Sequence, residues 1–423
     1  MQQAPHSPSR QPVRPDESAR PETALLPDVD RAAFAAEVRA LRATLQAELG
    51  EIDLIHLRRM QRWGRTATVL GLATAWMGVN PLAALALALG QSARWTMVAH
   101  HVLHRGYDRV PGVPERFRSA VFARGWRRWI DWPDWIHPSA WSHEHNVLHH
   151  FYTGEIDDPD LVEHNAWLLR LRAVPRPLKW LLIGVLMLSW KLIYYAPNTF
   201  WAWREHLRGR RVDGRAKQPG AAPRARGAAG FGAARRLLYP GERLLLPVTP
   251  RAWHFWLRSA VPYAVFRFGL LPALFLPLGE AACWAVLTNL LIAELLSQLH
   301  TFFIIVPNHA GDDVYRFDDH FADGDEFILR QVVGSVNYPG GSDLRDFLQG
   351  YLNYQIEHHV WPDLPMLKYR QAAPQLKALC ARHGVPYIEQ SVFRRFGKLW
   401  AILNGDAAML RAAPRAGAIA AAS

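Results

Sequence analysis

Only 2 of the 423 residues are cysteine. That excludes a disulfide scaffold and a zinc site built from paired CxxC motifs. HExxH is missing as well. Val147 stands where the second histidine of a motif opening at His143-Glu144 would fall, so a zincin is unsupported. No ExxH occurs, which removes the carboxylate-rich di-iron bundle pattern based on that motif. Acidic residues are few beside basic ones, 37 against 49, giving a formal net charge of +12. Such a balance suggests nucleic acid or an anionic membrane face as a neighbour. No charged-then-apolar leader opens the chain, so a cleaved secretory peptide is not expected. What the chain does have is 18 Trp, 19 His and hydrophobic residues at half of all positions. A mostly disordered protein is therefore excluded.

The apolar residues are gathered into stretches. Residues 1–30 are polar and proline-rich and read as a disordered tail. Over residues 31–60, Phe34, Val38, Leu41, Leu45 and Leu49 recur at helical steps and predict an amphipathic helix. Apolar stretches follow at 66–79 and 81–99, separated by Asn80-Pro81. A third covers 178–197. A fourth and fifth, 259–279 and 281–306, meet at Gly279-Glu280. A membrane span needs about 20 apolar residues, and five such stretches in one chain predict a polytopic membrane protein. Residues 203–236 hold ten basic residues, opposed only by Glu205 and Asp213. With Gly, Pro and Ala filling much of the rest, this reads as a flexible loop on the cytoplasmic side. It lacks the interleaved aromatics of a nucleic-acid-binding arm over most of its length. Residues 366–404 read as a soluble helical end and 405–423 as a disordered tail.

The histidines are clustered. His100-His101-Val102-Leu103-His104 is an HxxxH arrangement where the second apolar stretch ends. Residues four apart share a helix face, so two imidazoles can converge on one ion. Residues 143–150 read HEHNVLHH, with His145 and His149 four apart and His150 next. Gln355-Ile356-Glu357-His358-His359 reads QxxHH, and His309 follows the last apolar stretch. Isolated histidines such as His56, His164, His206, His254 and His383 read as surface or satisfied core residues. His300, inside an apolar stretch, is either a hydrogen-bonded helix residue or an approach to the site. Neutral imidazole suits borderline transition metals. One zinc needs only four ligands; eight placed histidines fit two metal ions.

At these residues the chain resembles the membrane fatty acid desaturase family, from about residue 65 to 390. The resemblance is strongest in NYQIEHHVWPDLP at 353–365, followed by Tyr369, Pro374 and CARHGVPY at 380–387. HHVLHRGYD at 100–108, HEHNVLHH and DPDLVE at 158–163 complete it. The Gln-led third box resembles that of front-end desaturases and their bacterial relatives. The resemblance implies an all-α polytopic membrane protein: four transmembrane helices with a cytosolic helical cap, the desaturase domain spanning 61–404. It implies two Fe ions held by His100, His104, His145, His149, His150, His309, His358 and His359, with O2 as co-substrate. Gln355 stands where many members have histidine and is a weaker ligand or outer partner. Asn308 is a further outer candidate. His101 and His143 are alternates. The HxxxHH spacing of the second box is one residue longer than the common one.

All boxes must meet on one side of the membrane. Three apolar stretches separate the second box from the third, so one of them must not cross. Residues 178–197, with Trp190, Lys191, Tyr194 and Tyr195, suit an interfacial helix. Four spans remain: 66–79, 81–99, 259–279 and 281–304. The expected activity is desaturation of a long alkyl chain, presented as an acyl lipid or thioester in the bilayer of a bacterial inner membrane, with the metal site cytoplasmic. Glu144, Asp157 and Glu357 are candidates to orient the ligands. The His-Pro-Gly-Gly signature of fused haem domains is absent, implying a separate ferredoxin or cytochrome as electron donor. No nucleic-acid partner is expected. A hydroxylase of the same superfamily is the nearest alternative. A non-catalytic metal-binding membrane protein is a more distant one.

Overall fold

A computed structural model describes residues 24–212 and 241–412. Most of the proposed tails and the greater part of the Arg-rich loop lie outside those residues. Helices dominate; the one ladder among the described residues pairs Tyr315–Arg316 in parallel with Leu410–Arg411.

The first helix, Arg31–Ala47, is capped by Asp30, whose carboxylate accepts from the Ala33 amide at 3.0 Å. It packs on Met366–Arg382: Arg42 grips Asp363 with two 2.7 Å bonds, and Arg382 meets Glu37 at 2.6 Å. The single amphipathic helix expected over 31–60 is divided. The chain breaks at Glu48–Gly50, where the Gly50 amide bonds Asp53 at 3.0 Å, and a second helix runs Glu51–Ala75. Residues 66–75 of the first apolar stretch thus form the latter part of an amphipathic helix.

Asn80 starts the return helix, Pro81–Ala93, by accepting from the Leu82 amide at 3.0 Å, with Pro81 in the first turn. Asn289 in the Glu280–Ile305 helix fixes this turn. It accepts from the Asn80 amide at 2.9 Å and donates to the carbonyls of Ala75 and Gly78 at 2.9 and 2.8 Å. The two helices approach closely because small residues face each other. A Cβ added at Gly71 would stand 2.6 Å from Leu87 Cγ, and one at Gly90 would strike Thr68.

Among the described residues, three helices are long and apolar enough to cross a membrane: Arg176–Gly209, Pro250–Leu278 and Glu280–His309. The last two cover the expected spans, all of 281–304 and all of 259–279 but Gly279. The 178–197 stretch, expected at the interface, is part of the first, a 34-residue helix. The 66–79 and 81–99 stretches are not among the three.

Both expected tails include packed residues. Leu25 is buried and its carbonyl accepts from Arg31 at 3.0 Å. Residues 405–412 are packed: the Leu410 amide bonds the Val314 carbonyl at 2.9 Å and Met409 is buried. Residues 203–212, placed in the loop from sequence, continue the preceding helix.

Candidate metal centre

Each histidine box rides on a helix that departs from α geometry or ends abruptly. After Pro81–Ala93 the helix widens into a π-helical turn, Arg94–Ala99, in which the His100 amide bonds the Trp95 carbonyl. Ordinary geometry resumes at His100–Leu103, and the His104 amide bonds the His100 carbonyl at 3.0 Å. His100 and His104 therefore share a face. His101 turns away and spends Nδ1 on the Met97 carbonyl at 2.9 Å.

The second box begins on a short helix, Pro138–His143, and continues as another π-helical turn, Glu144–His149, with the His150 amide bonded to the His145 carbonyl. This accommodates the extra residue of HxxxHH: His145 and His150, five apart, meet in one group, and His149 goes to another. The third box lies on Gln355–Val360. Its approach is fixed by Asn337, whose amide oxygen accepts from the Ile356 amide at 2.8 Å.

Two all-histidine groups result among the described residues: His100, His104, His145, His150 and His358 place one nitrogen each within 4.8 Å of one another, and His149, His309 and His359 form a second such set; His145 and His149 also form one with Asp160. The His150 and His359 rings stack 4.3 Å apart and join the two all-histidine groups. Burial, reinforced by neighbouring rings, pushes His100, His104, His145, His150, His358 and His359 well below the usual imidazole pKa. Their lone pairs are then free of protons at neutral pH. His149 is the exception. Burial opposes its charge, but the Asp158 carboxylate, 2.9 Å from Nδ1, raises its pKa overall.

Nε2 of His104, His145, His150 and His359 is buried and makes no hydrogen bond among the described residues. Each buried polar atom left unpaired costs about 1–3 kcal/mol. Four such atoms in one cluster, all on neutral imidazoles, fit metal ions as the missing partners. Outer contacts hold several rings. Besides the Asp158 bond to His149, His359 Nδ1 faces Thr153 Oγ1 at 3.1 Å and Gln331 Oε1 at 3.2 Å. His358 Nδ1 faces the Tyr369 hydroxyl at 3.3 Å, and His145 Nδ1 faces that of Tyr195 at 3.4 Å.

All eight histidines named from sequence lie in these groups, and the alternates do not join them. His143 stacks on His206 at 4.1 Å, and His300 Nε2 bonds the Leu348 carbonyl at 2.7 Å. Gln355 Nε2 lies 2.9 Å from His309 Nε2, beside the smaller group. Asn308 gives its amide hydrogens to the carbonyls of Leu352 and Ile304, at 2.8 and 3.3 Å, and so braces the chain before His309.

Of the carboxylates proposed as orienting groups, Glu357 and Asp157 have other partners, whereas Glu144 meets the Tyr195 hydroxyl that faces His145. Glu357 bonds Asn337 and Tyr387, each at 2.8 Å, and burial raises its pKa to about 7. Asp157 faces His320 at 3.3 Å. Glu144 is buried, its pKa well above the carboxylate range. The acids that sequence reasoning missed are Asp158, on His149, and Asp160, 3.9 Å from the same ring. The one signal for them was the DPDLVE motif that contains both.

A cavity of about 340 Å³ opens beside both groups, within the usual size range of ligand pockets. His100, His145, His149, His309 and Gln355 line it together with Trp95, Trp141, Trp190, Leu186 and Phe302, among others. A largely apolar space therefore borders buried imidazoles of both groups.

Such an arrangement could hold metal beside a largely apolar cavity, in a chain with helices long and apolar enough to cross a membrane. The sequence profile of the Fatty acid desaturase family matches residues 74–391. The chain belongs to that family. Among its relatives is the NADPH-dependent stearoyl-CoA 9-desaturase of Mycobacterium tuberculosis, 26% identical over 386 residues, covering 89% of this chain and 80% of that one. Acyl-lipid (7-3)-desaturase of Rebecca salina is 30% identical over 60% of this chain and 50% of its own. Acyl-lipid (9-3)-desaturase of Physcomitrium patens is 30% identical over 37% of this chain and 25% of its own.

Proposed function

We propose that this protein is a membrane-bound, oxygen-dependent desaturase of long acyl chains, using two irons held by the five-histidine and three-histidine groups. The observation that carries this reading is the meeting of the apolar cavity with both groups. When bound, the iron pair supplies the O2-dependent removal of two hydrogens from adjacent methylenes, with two electrons from a separate ferredoxin or cytochrome.

The chain's own residues do the rest. The cavity walls bind and straighten the chain by burying its apolar surface. Trp141, stacked on His145 at 4.6 Å, keeps the space beside the imidazoles filled with protein and water out. Asp158 holds the Nδ1 proton of His149, leaving Nε2 as the ligating atom. No side chain needs to act as an acid or base on the unactivated methylene.

The proposed topology puts the hairpin of 66–79 and 81–99 into the bilayer beside 259–279 and 281–304. Val69, Leu70, Met77, Val79 and Leu82 on that hairpin are exposed and apolar. The Arg176–Gly209 helix lies at the interface. Both its ends meet elements near the boxes: Lys179 donates to the Asn404 carbonyl at 2.9 Å, and Trp203 stacks on His137 at 4.9 Å. The boxes then share one side, taken as the cytoplasmic side. The substrate is a long acyl chain carried as a thioester or lipid.

Lipid profiling of a host expressing the chain tests this, with His149→Ala and His358→Ala beside it. The expected result is a new unsaturated chain, about two mass units lighter than its precursor, absent with either variant. A product heavier by one oxygen, or turnover retained in both variants, would contradict the reading.

A further inference from the structure

We infer that the buried Lys191–Asp134 pair sets the floor of the cavity, through the tryptophans that it holds, and thereby selects which carbon of a bound chain reaches the histidines. This rests on reading the cavity as an acyl channel. Lys191 Nζ lies 3.0 Å from Asp134 Oδ2, with the two side chains 0% and 1% exposed. A buried ion pair gains little stability over an apolar replacement, so its retention points to position rather than strength.

The pair joins two segments. Asp134 sits on the tryptophan-rich stretch 128–136, which enters the helix bundle. That stretch is tied to the Pro250–Leu278 helix: Arg128 donates to the Arg258 carbonyl at 2.7 Å, and the Trp135 carbonyl accepts from Ser259 at 2.5 Å. Lys191 follows Trp190, whose Nε1 donates to the Gln298 carbonyl at 3.0 Å, and the Lys191 amide bonds Gln298 Oε1 at 2.9 Å.

Three rings are thereby fixed. The Lys191 ammonium lies 5.1 Å from the centre of the Trp95 ring. Trp132 stacks on Trp95 at 6.5 Å and meets Trp141 edge-on at 5.7 Å. Trp95, Trp141 and Trp190 line the cavity, whereas Lys191, Asp134 and Trp132 stand outside its lining. Trp95 is five residues before His100, and Phe302, also in the lining, seven before His309. That is roughly one turn and roughly two turns ahead of a histidine. Two separate helices thus each carry an aromatic lining residue ahead of a histidine of the site.

Lys191 and Asp134 act here as positioning residues. The test offers purified chain, in lipid nanodiscs with a reducing system, a series of saturated acyl chains of increasing length. Product yield and double-bond position are read by mass spectrometry and iron per chain by elemental analysis. Trp95→Ala should move preference to longer chains, or the double bond toward the carboxyl end, with iron unchanged. One methylene in an apolar pocket is worth about tenfold or more in selectivity, and a shift of that order is expected. The paired change Asp134→Asn/Lys191→Met, which leaves neither charge alone, should broaden the profile, and Lys191→Arg should restore it. Wild-type product spectra from variants that turn over would overturn the inference and leave the desaturase reading standing. No product from wild type on any chain would overturn that reading itself. Should the paired variant fail to fold, Trp95→Ala and Trp95→Phe decide.

Discussion

The two histidine groups touch through the stacked rings of His150 and His359, yet they are built on different plans. The larger gathers five imidazoles from all three boxes, and their nitrogens face mainly one another: His100 Nε2 and His358 Nε2 stand 2.8 Å apart. The smaller has three imidazoles, each held by a polar neighbour: Asp158 on His149, Thr153 and Gln331 on His359, Gln355 on His309. One group depends on ligand number, the other on support. The difference teaches that losing an outer partner should be felt mainly in the smaller group.

The largest effect should come from breaking the larger group. His104→Ala or His358→Ala should abolish product formation and lower iron per chain, read by a lipid assay and elemental analysis. Next in size is acid sensitivity. An unfolded imidazole takes its proton near pH 6.5, whereas the six buried rings stay neutral to well below that value. The unfolded state therefore binds more protons as pH falls. Stability is present above about pH 6.5 and is lost as pH falls through the window down to the lowered folded values. His149, with its raised pKa, works the other way: its contribution is present below about pH 6.5 and is lost as pH rises through its folded value. The raised carboxyls of Glu144 and Glu357 act in the same direction as His149, and these three groups against six rings do not reverse the trend. Metal-free protein should melt at a lower temperature at pH 5 than at pH 8 in thermal scans. An unchanged or opposite trend would mean the rings are not held neutral.

Asp158→Asn sharpens the comparison. It removes the charge that orients His149 and should cost about 10–100-fold in metal affinity or activity, measured by chelator competition. Only one of the two ions should be lost. The smallest effect is expected from Gln331→Ala, which removes one of two contacts on His359. A hydrogen bond of about 1 kcal/mol corresponds to about a fivefold weakening, and the same competition should detect it.

Much of this was legible in the sequence because metal ligation forces rare residues into tight spacings. His100 and His104 can be paired from their offset alone. The partition between groups was not legible. It depends on the π-helical turn at Glu144–His149, a local widening that no residue spacing announces. Among the orienting carboxylates, Glu357 was misread for a related reason. Glu357 is next to His358 in the chain, yet neighbours on a helix point apart, and its carboxylate reaches Asn337 and Tyr387. Asp158 is nine residues from His149 and reaches it only because the chain turns back at Thr153–Glu155. The helix boundary at Glu48–Gly50 escaped periodicity because both flanking helices carry apolar faces in step with it. The role of Trp95 was hidden for another reason. A tryptophan one turn before a histidine box reads as core until its partner Lys191, from a distant helix, is in view.

The account's central claim is that the two groups hold two ions of unequal security. Its most direct measurement is the iron content of purified protein during graded removal by a chelator. The prediction is two irons per chain at the start and loss in two separable steps, with Asp158→Asn bringing forward only the first. A single iron per chain, a site filled by zinc alone, or loss of both ions in one step unaffected by Asp158→Asn would contradict it.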